Sequence, residues 1–332
     1  MGRVTIEEVA AAAGVSRSTV SRVVNGSTAV SPDALAAVQD AIVLLDYVPN
    51  RAARSLASRQ THAIALVVPE DTTRFFGDPF FAAIVAGISA RLAESDYVLT
   101  LLVASEDDRG KMTGFVRNGG VDAAIIVSHH TSDAFVDRIA EAVPVVFGGR
   151  PANARPSDYV VDVDNVQGGR IATEHLIARG RRRIATITGP LTMPPAQDRL
   201  DGFRAALADA GLEPAGEEDG GFSETGGAEA MTRLLESGGP RPDAVFVGSD
   251  LMAAGAVRVL RRAGLRVPED VAVVGYDDSQ IAETLDPPLT TVRQPMHDEG
   301  ETMASVVIDV LAGGEPPHVT IMPTELVVRA SA

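Results

Sequence analysis

The sequence predicts an α/β protein in which a small helical head precedes a two-lobed core of doubly wound parallel sheets. Residues 1–48 show helical periodicity with capping residues and without strand-like runs. From residue 62 onward, apolar runs such as AIALVV and VAVVGYDD alternate with amphipathic stretches, which is typical of a parallel sheet covered by helices. Eight such runs exceed one ordinary sheet, so we expect two lobes with a cleft between them.

The composition limits the classes of function that the chain can perform. A length of 332 residues predicts two or three domains. The net charge of -16 at first argues against a nucleic-acid partner, because phosphate repels a negative surface. Without cysteine there is no disulfide framework, thiolate metal site or cysteine nucleophile, and no apolar run reaches the roughly 18 residues of a membrane span. We therefore expect a cytoplasmic protein that needs no cofactor.

The three helices of the head are predicted from their caps. Thr5 and Glu8 form a capping box before the first helix, and Gly14 ends that helix. Ser16 begins a second helix, and Ser31 followed by proline begins a third. A helix, a tight glycine turn and another helix form the helix-turn-helix pattern, in which the second helix lies in the major groove of DNA.

The second helix carries side chains suited to reading DNA. Arginine suits guanine because its planar fork reaches O6 and N7 together, a contact that contributes about 1–3 kcal/mol of discrimination. Ser16 and Thr19 are instead placed to reach phosphate groups. The alternative is a three-helix bundle with a polar face, which the full string TIEEVAAAAGVSRSTVSRVVNG disfavours. The candidate base-reading residues are Arg17, Ser18, Ser21, Arg22 and Asn25.

Several longer motifs occur in order along the chain. They include VSRSTVSRVVNG, VDVDNVQGGRIATEHL and VPEDVAVVGYDD. In these motifs the sequence resembles the lactose repressor (LacI/GalR) family of bacterial regulators, and the resemblance covers essentially the whole chain. The FxxPFF and FGGRP segments are similar to members that respond to cellobiose or malto-oligosaccharides.

The resemblance implies a division of the chain and a partner for each part. Residues 1–48 form the DNA-binding domain, residues 49–60 a hinge helix or linker, and residues 61–332 the effector-binding and dimerisation core. The family implies a homodimer that binds a near-palindromic operator. The expected lobes are, for the first, residues 61–161 and 291–320 and, for the second, residues 162–290 and 321–332.

The hinge is expected to enter the central minor groove of the operator. By the resemblance, Leu56 wedges between base pairs and kinks the duplex. The alternative is that Leu56 packs the hinge helix against the core. Thr5, Ser31 and Ala53 complete the candidate DNA contacts that the resemblance implies.

The core resembles the periplasmic sugar-binding fold, in which a ligand lies between the lobes. A sugar needs aromatic faces for its C–H surface and charged, bidentate partners for its hydroxyl groups. The segment FFGDPFF (75–81) follows the first strand, and by resemblance Phe80 and Phe81 line the pocket. The alternative is that Phe75 and Phe81 only anchor the loop.

Polar candidates follow other strands of the core. By resemblance, Arg199 binds sugar hydroxyls or an effector carboxylate, and Asp277 accepts ligand hydroxyls at a strand end. Ser249 and Asp250 open a helix, and Asp250 serves either the effector or the helix N-terminus. Where the lactose repressor has an acid after its fourth strand this chain has glycine, which makes the neighbouring Arg150 a candidate.

Other chemistry is weakly represented. Adjacent His129 and His130 lack partners at ligand spacing, so solvated histidines and no metal are expected. The acidic segment 213–221 is expected to be solvated surface. Neither a phosphate-binding GxxxxGK[ST] motif nor a GxSxG nucleophile elbow occurs, so no enzymatic activity is expected.

The combined pattern predicts a transcriptional repressor of a carbohydrate-utilisation operon, released from its operator when a saccharide binds between the lobes. Because the coupling is reciprocal, the operator should weaken saccharide binding by the same factor. The alternative within the family is a co-repressor-dependent regulator that binds a purine or a phosphorylated metabolite. A sugar-transport component is disfavoured, since it would carry a signal peptide and no reader helix.

Overall fold

The chain forms two separate units in a computed structural model that describes residues 4–24, 29–47, 60–107 and 109–332. The first unit is Met1–His62 and the second is Ala63–Ala332. None of the described helices is long and apolar enough to cross a membrane.

The described part of the first unit contains three helices around a small apolar core of Val9, Val20 and Val38. The predicted caps are confirmed. The Thr5 hydroxyl accepts from the backbone of Glu8 while the Glu8 carboxylate accepts from the backbone of Thr5, and Gly14 adopts a left-handed φ of 66°. The helices are α1 (Ile6–Ala13), α2 (Arg17–Val24) and α3 (Pro32–Leu44).

The first lobe of the core is built on a six-stranded sheet in the order β11-β5-β4-β3-β1-β2. All of its strand pairs are parallel, as predicted. The strands are β1 (Ala63–Val68), β2 (Val98–Val103), β3 (Ala123–Val127), β4 (Val145–Gly148), β5 (Tyr159–Val163) and β11 (Val319–Met322). The helices of this lobe are α4 (Thr72–Gly77), α5 (Pro79–Leu92), α6 (Lys111–Arg117), α7 (Ala134–Ala140) and α13 (Met296–Leu311).

The second lobe has a six-stranded sheet in the order β12-β10-β9-β8-β6-β7. It departs from the prediction of a purely parallel sheet, because the edge strand β12 runs antiparallel to β10. Its strands are β6 (Ile184–Thr188), β7 (Glu217–Asp219), β8 (Ala244–Val247), β9 (Ala272–Asp277), β10 (Thr290–Arg293) and β12 (Glu325–Val327). Its helices are α8 (Asn165–Ala178), α9 (Pro194–Asp209), α10 (Glu224–Glu236), α11 (Asp250–Arg262) and α12 (Gln280–Thr284).

The chain passes between the lobes after β5, β10 and β11. The expected boundaries after residues 161, 290 and 320 fall inside these strands, and the sheets place each crossing two or three residues later. The physical reason is that a strand which changed sheets midway would leave buried backbone groups without hydrogen-bond partners.

The acidic segment 213–221 is more ordered than expected from its charge. Glu217–Asp219 forms β7, which pairs in parallel with β6. The carboxylates of Glu217 and Glu218 form ion pairs with Arg204 and Arg233. The expectation of plain solvated surface is therefore wrong, because strand pairing and two arginines hold this segment at the edge of the sheet.

Candidate functional site

A cavity lies between the two lobes of the core. Its walls follow the carboxyl ends of strands, where parallel α/β sheets usually bind ligands. The first lobe contributes Arg74, Asp78, Phe80 and Ser128. The second lobe and the crossover after β10 contribute Met193, Pro195, Arg199, Phe222, Ser249, Asp277 and Gln294.

Three nitrogens of Arg199 donate hydrogen bonds that hold its side chain in the cavity wall. Nε donates to Asn165 Oδ1 at 2.9 Å, Nη1 donates to the Gly248 carbonyl at 2.6 Å, and Nη2 donates to Gln294 Oε1 at 3.3 Å. The guanidinium carbon also lies 3.6 Å from the centre of the Tyr276 ring. These contacts fix the orientation of the charged group before any ligand is bound.

Close packing of two helices fixes the backbone that carries Arg199. A Cβ atom at Gly169 of α8 would lie 2.1 Å from the carbonyl oxygen of Arg199 on α9. Only glycine permits this approach. The motif residue Gly169 therefore acts on the cavity through the position of α9.

Asp277 lies at the end of β9 beside Arg199. Its backbone has a φ of 113°, a strained value for a residue other than glycine. Gln294 Nε2 donates to its carboxylate at 2.7 Å, and Arg199 Nη1 lies 3.9 Å from the same oxygen. Burial raises the pKa of Asp277 well above its usual value, and the positive charge of Arg199 only partly opposes this effect. The structure thus brings the predicted arginine and acid together at one wall.

The aromatic candidates divide between the cavity and the core. Phe80 lines the cavity. Phe81 does not line it, because its side chain is 2% exposed and packs in the hydrophobic core of the first lobe. The Phe75 and Phe81 rings lie 5.2 Å apart and anchor the loop, which corrects the expectation for Phe81.

Asp250 and Arg150 also lie outside the cavity wall. Asp250 is completely buried, and it accepts hydrogen bonds from the Ser279 backbone at 2.8 Å and from the Thr291 hydroxyl at 2.6 Å. Burial raises the pKa of Asp250 to about 7. The Arg150 side chain is 52% exposed and pairs with Asp198. Both expectations are corrected, because these side chains are occupied by partners within the second lobe.

Ser249 has two roles. It lines the cavity, and its hydroxyl accepts from the Met252 backbone at 3.2 Å, which caps α11. The cap predicted at this helix thus belongs to Ser249 and not to Asp250.

Phe222 is a cavity residue that the sequence interpretation missed. Its ring fills the space beside Gly189, where a Cβ atom would lie 2.0 Å from the ring. The guanidinium carbons of Arg74 and Arg199 lie 5.4 and 5.9 Å from the ring centre. Its position directly after the acidic segment was the available signal, since β7 ends at the same sheet edge as the other cavity strands.

Arg74, Asp78 and Gln294 were also missed. Arg74 and Asp78 belong to the segment after β1, where the sequence pattern predicts only phenylalanines at the cavity. The Asp78 carboxylate caps α5 by accepting from the Phe80 backbone at 3.0 Å. Burial raises the pKa of Asp78 above its usual value. Each lobe therefore presents an aromatic ring, a guanidinium group and a carboxylate to the same cavity.

The two adjacent histidines are not solvated as expected. His129 is 4% exposed, and its ring packs 5.7 Å from that of Phe147. Burial lowers the pKa of His129. His130 points in the other direction and contacts Glu70 and Thr192. The two rings therefore have different neighbours and do not act as a pair.

The head presents part of the predicted DNA-binding set. Arg17, Ser18 and Arg22 are exposed on α2, and Thr19 and Ser21 are half-buried. Arg17 forms an exposed ion pair with Glu7 at 3.2 Å. Asn25, Ala53 and Leu56, with almost all of the expected hinge 49–60, lie outside the described residues.

The capping residues of the head use their hydroxyl groups within the head itself. Thr5 caps α1, and Ser31 accepts from the Ala34 backbone at 3.4 Å and caps α3. The Ser16 hydroxyl accepts from the Thr19 backbone at 3.2 Å. A DNA phosphate would share these hydroxyls with the helix caps.

The comparisons with known proteins agree with this architecture. The family model "Bacterial regulatory proteins, lacI family" matches residues 5–50, and the model "Periplasmic binding protein-like domain" matches residues 173–332. The chain is 46% identical over 339 residues to the HTH-type transcriptional regulator CelR of Thermobifida fusca, covering 99% of this chain and 98% of that protein.

Two solved structures extend the comparison to the fold. A CelR–cellobiose complex has a TM-score of 0.79 and 44% identity, and the match covers 99% of this chain and 100% of that one. The Lac repressor dimer bound to operator and the anti-inducer ONPF has a TM-score of 0.86 and 30% identity, with 99% of each chain covered. The helix-turn-helix head, the two parallel-sheet lobes and these relatives together establish that the chain belongs to the lacI family of bacterial regulatory proteins.

Proposed function

We propose that the protein represses a carbohydrate-utilisation operon and that a saccharide in the cavity between the lobes releases it from its operator. One observation carries the proposal. Each lobe contributes an aromatic ring (Phe80 or Phe222) and an arginine (Arg74 or Arg199) to the cavity, and these groups match the C–H faces and hydroxyl groups of a sugar.

Cellobiose is the saccharide that we propose. The support is the 46% identity to CelR, together with the cellobiose complex of a CelR protein at a TM-score of 0.79. Two aromatic rings on opposite lobes also suit a ligand with two sugar rings better than a single small ring. Phe80 and Phe222 are the candidate stacking residues.

The ligand is tested by isothermal titration of the full-length protein with cellobiose, with maltose and sucrose as controls. We expect a saturable heat of binding for cellobiose that exceeds the heats of both controls. Absence of cellobiose binding would exclude this ligand, and binding of a different saccharide would keep the class of effector but change its identity.

On the DNA side, we propose a cytoplasmic homodimer that reads a near-palindromic operator. The exposed Arg17 and Arg22 on α2 are candidate base contacts, with Ser18 and Ser21 beside them. Thr5, Ser16, Thr19 and Ser31 are candidate phosphate contacts, and Asn25, Ala53 and Leu56 stay predictions. Support for the dimer is the Lac repressor dimer on its operator.

Selection of operators from random duplexes tests the assignment of the reader helix. For Arg22→Ala we expect loss of preference at one base pair in each half-site, with cellobiose binding unchanged. An unchanged sequence preference would refute direct base readout by Arg22.

The co-repressor alternative predicts the opposite sign of the effector. A purine or a phosphorylated metabolite would then strengthen operator binding, whereas a saccharide inducer weakens it. Mobility-shift titrations with the selected operator distinguish the two. Incubation of cellobiose with the protein should leave the sugar intact, since the relatives are regulators and we propose no catalytic role.

A further inference from the structure

The cavity rim on the first lobe is organised around the carboxylate of Glu70. This residue follows β1 and is 6% exposed. Three donors from its own lobe surround one oxygen, Oε1. Arg74 Nη1 lies at 2.8 Å, Ser128 Oγ donates at 2.7 Å, and His130 Nε2 lies at 3.4 Å. A buried carboxylate with charge-assisted partners holds those partners in fixed positions.

Two of these partners continue across the cleft to the second lobe. His130 Nδ1 and the Thr192 hydroxyl are hydrogen-bonded at 2.8 Å. The backbone N–H of the next residue, Thr131, donates to the Thr192 carbonyl at 2.8 Å. Arg74 Nη2 lies 4.0 Å from Met193 Sδ. Thr192 and Met193 follow β6, so the contacts join the lobes directly at the rim of the cavity.

Arg74 borders the cavity and has one N–H group that is unpaired among the described residues. It lines the cavity, and its guanidinium lies over the face of Phe222. Its Nε is buried and has no hydrogen-bond partner among the described residues. Glu70, Asp71 and Asp78 act on it electrostatically, and the ion pair is with Glu70. Without Glu70, the guanidinium would lose the partner that orients it.

We propose that Glu70 is a positioning residue that holds Arg74 against the cavity and, through His130 and Thr192, couples this arginine to closure of the two lobes. We call the contacts of Glu70, His130 and Thr192 the latch. Arg74 contacts the saccharide, whereas Glu70 acts through Arg74 and the latch. The inference rests on the proposed saccharide function of the same cavity.

The test uses Glu70→Gln, which keeps the shape of the side chain and removes its charge. We expect the dissociation constant for cellobiose to rise about tenfold, because Arg74 loses its partner, as one lost charge-assisted hydrogen bond implies. Glu174→Gln is the matched control, since Glu174 also pairs with an arginine four residues away, Arg170, but on the surface of the second lobe. The control should bind cellobiose as the wild type does.

The rate of amide hydrogen exchange measures lobe closure in the absence of any ligand. The Thr131 N–H is bonded across the cleft, whereas the nearby Val136 N–H is bonded within the first lobe, to Asp133. We expect Glu70→Gln to speed exchange at Thr131 about tenfold and to leave Val136 unchanged, as local opening requires. Equal exchange at Thr131 in wild type and variant, or unchanged cellobiose affinity, overturns the proposal.

A second variant guards against misfolding of Glu70→Gln. Thr192→Val removes the hydroxyl on the far side and should also speed Thr131 exchange. In the double variant Glu70→Gln/Thr192→Val, we expect the two losses of cellobiose affinity to overlap. The fold-loss of the double variant should be at least fivefold smaller than the product of the two single fold-losses. If the fold-loss of the double variant equals the product of the two single fold-losses, the proposed coupling is overturned. If the wild type fails to bind cellobiose, the ligand proposal fails, and Thr131 exchange still tests the latch.

Discussion

The two lobes present an arginine to the same cavity and hold it in different ways. Arg199 of the second lobe donates to neutral oxygens of Asn165, Gly248 and Gln294, and its nearest acid is 3.9 Å away. Arg74 of the first lobe is held by the buried carboxylate of Glu70 at 2.8 Å. Arg199 is fixed by the second lobe and by Gln294 of the crossover after β10, whereas Arg74 belongs to a network that crosses the cleft.

This difference predicts that one wall of the cavity is preorganised and that the other depends on closure. Preorganised polar groups cost little to order when a ligand binds. Groups whose position depends on lobe closure link binding to the conformation of the core. Substitutions on the two walls should therefore differ in how much they reduce cellobiose affinity and in whether they also affect lobe closure.

The largest effect is expected for Arg199→Ala. The substitution removes the planar fork and takes one donor from each of three buried acceptors, so cellobiose affinity should fall at least about 100-fold, equivalent to two or more strong hydrogen bonds. Titration calorimetry measures the loss, and operator binding without sugar should remain. Arg199→Lys guards against misfolding and should recover only part of the affinity. Affinity within threefold of the wild type for Arg199→Ala would contradict the assignment.

Arg74→Ala should have a smaller effect. We expect roughly a tenfold loss of cellobiose affinity, because this arginine supplies a single charge-assisted donor. The loss should come with faster exchange at Thr131, which Arg199→Ala should not produce, since Arg199 takes no part in the contacts between Glu70, His130 and Thr192. If Arg74→Ala leaves affinity intact, the comparison of the two walls is wrong.

A buried acid on the first-lobe side provides a test by pH. Burial, helped by the negative charge of Asp162, raises the pKa of Glu299 on α13 to about 8, from an ordinary value of 4.5. Between these values the folded state retains a proton that the unfolded state has released, so stability falls as pH rises through this window. Glu299→Gln should make the free energy of unfolding of the core less dependent on pH and should raise it relative to the wild type at pH 8, because the variant has no carboxyl group to ionise.

Thermal melts at pH 5 and pH 8 measure that prediction. The wild type should lose stability relative to Glu299→Gln as the pH rises from 5 to 8. A constant difference between the two proteins at both values would show that Glu299 ionises as it does in the unfolded chain. The exposed Glu174→Gln variant serves as the control.

The smallest effect is expected for Arg150→Ala. The Arg150 side chain is 52% exposed, pairs with Asp198 and does not line the cavity. Exposed pairs of this kind contribute little, about 0–1 kcal/mol. Cellobiose affinity, measured by calorimetry, should stay within twofold of the wild type. A larger loss of affinity would show that Arg150 does contribute to effector binding.

The sequence interpretation succeeded where local patterns carry the information. The capping box at Thr5 and Glu8, the stop at Gly14 and the cap at Ser31 follow from neighbouring residues alone. The apolar strand runs predicted two parallel sheets, because strands buried on both faces need uninterrupted apolar side chains. Arg199 and Asp277 were named as candidates because recognisable motifs surround them, and both line the cavity.

It failed where the role of a side chain depends on distant partners. Phe80 and Phe81 are adjacent and identical in chemistry, yet only Phe80 lines the cavity. Asp250 was predicted to serve either the effector or the helix N-terminus, yet Ser279 and Thr291 occupy its carboxylate. The direction of the edge strand β12 was likewise set by its pairing with β10 and not by its own sequence.

By itself, the sequence determined the helical head, the two-lobed core and the membership of a regulator family, since each of these depends on periodicity, caps and ordered motifs. Tertiary structure alone decided which polar side chains face the cavity and which are satisfied elsewhere. The physical reason is that buried charges take whichever partners folding brings near. Glu70 and Arg74 pair four residues apart within the first lobe, and only the approach of the two lobes brings Thr192 to the same network through His130.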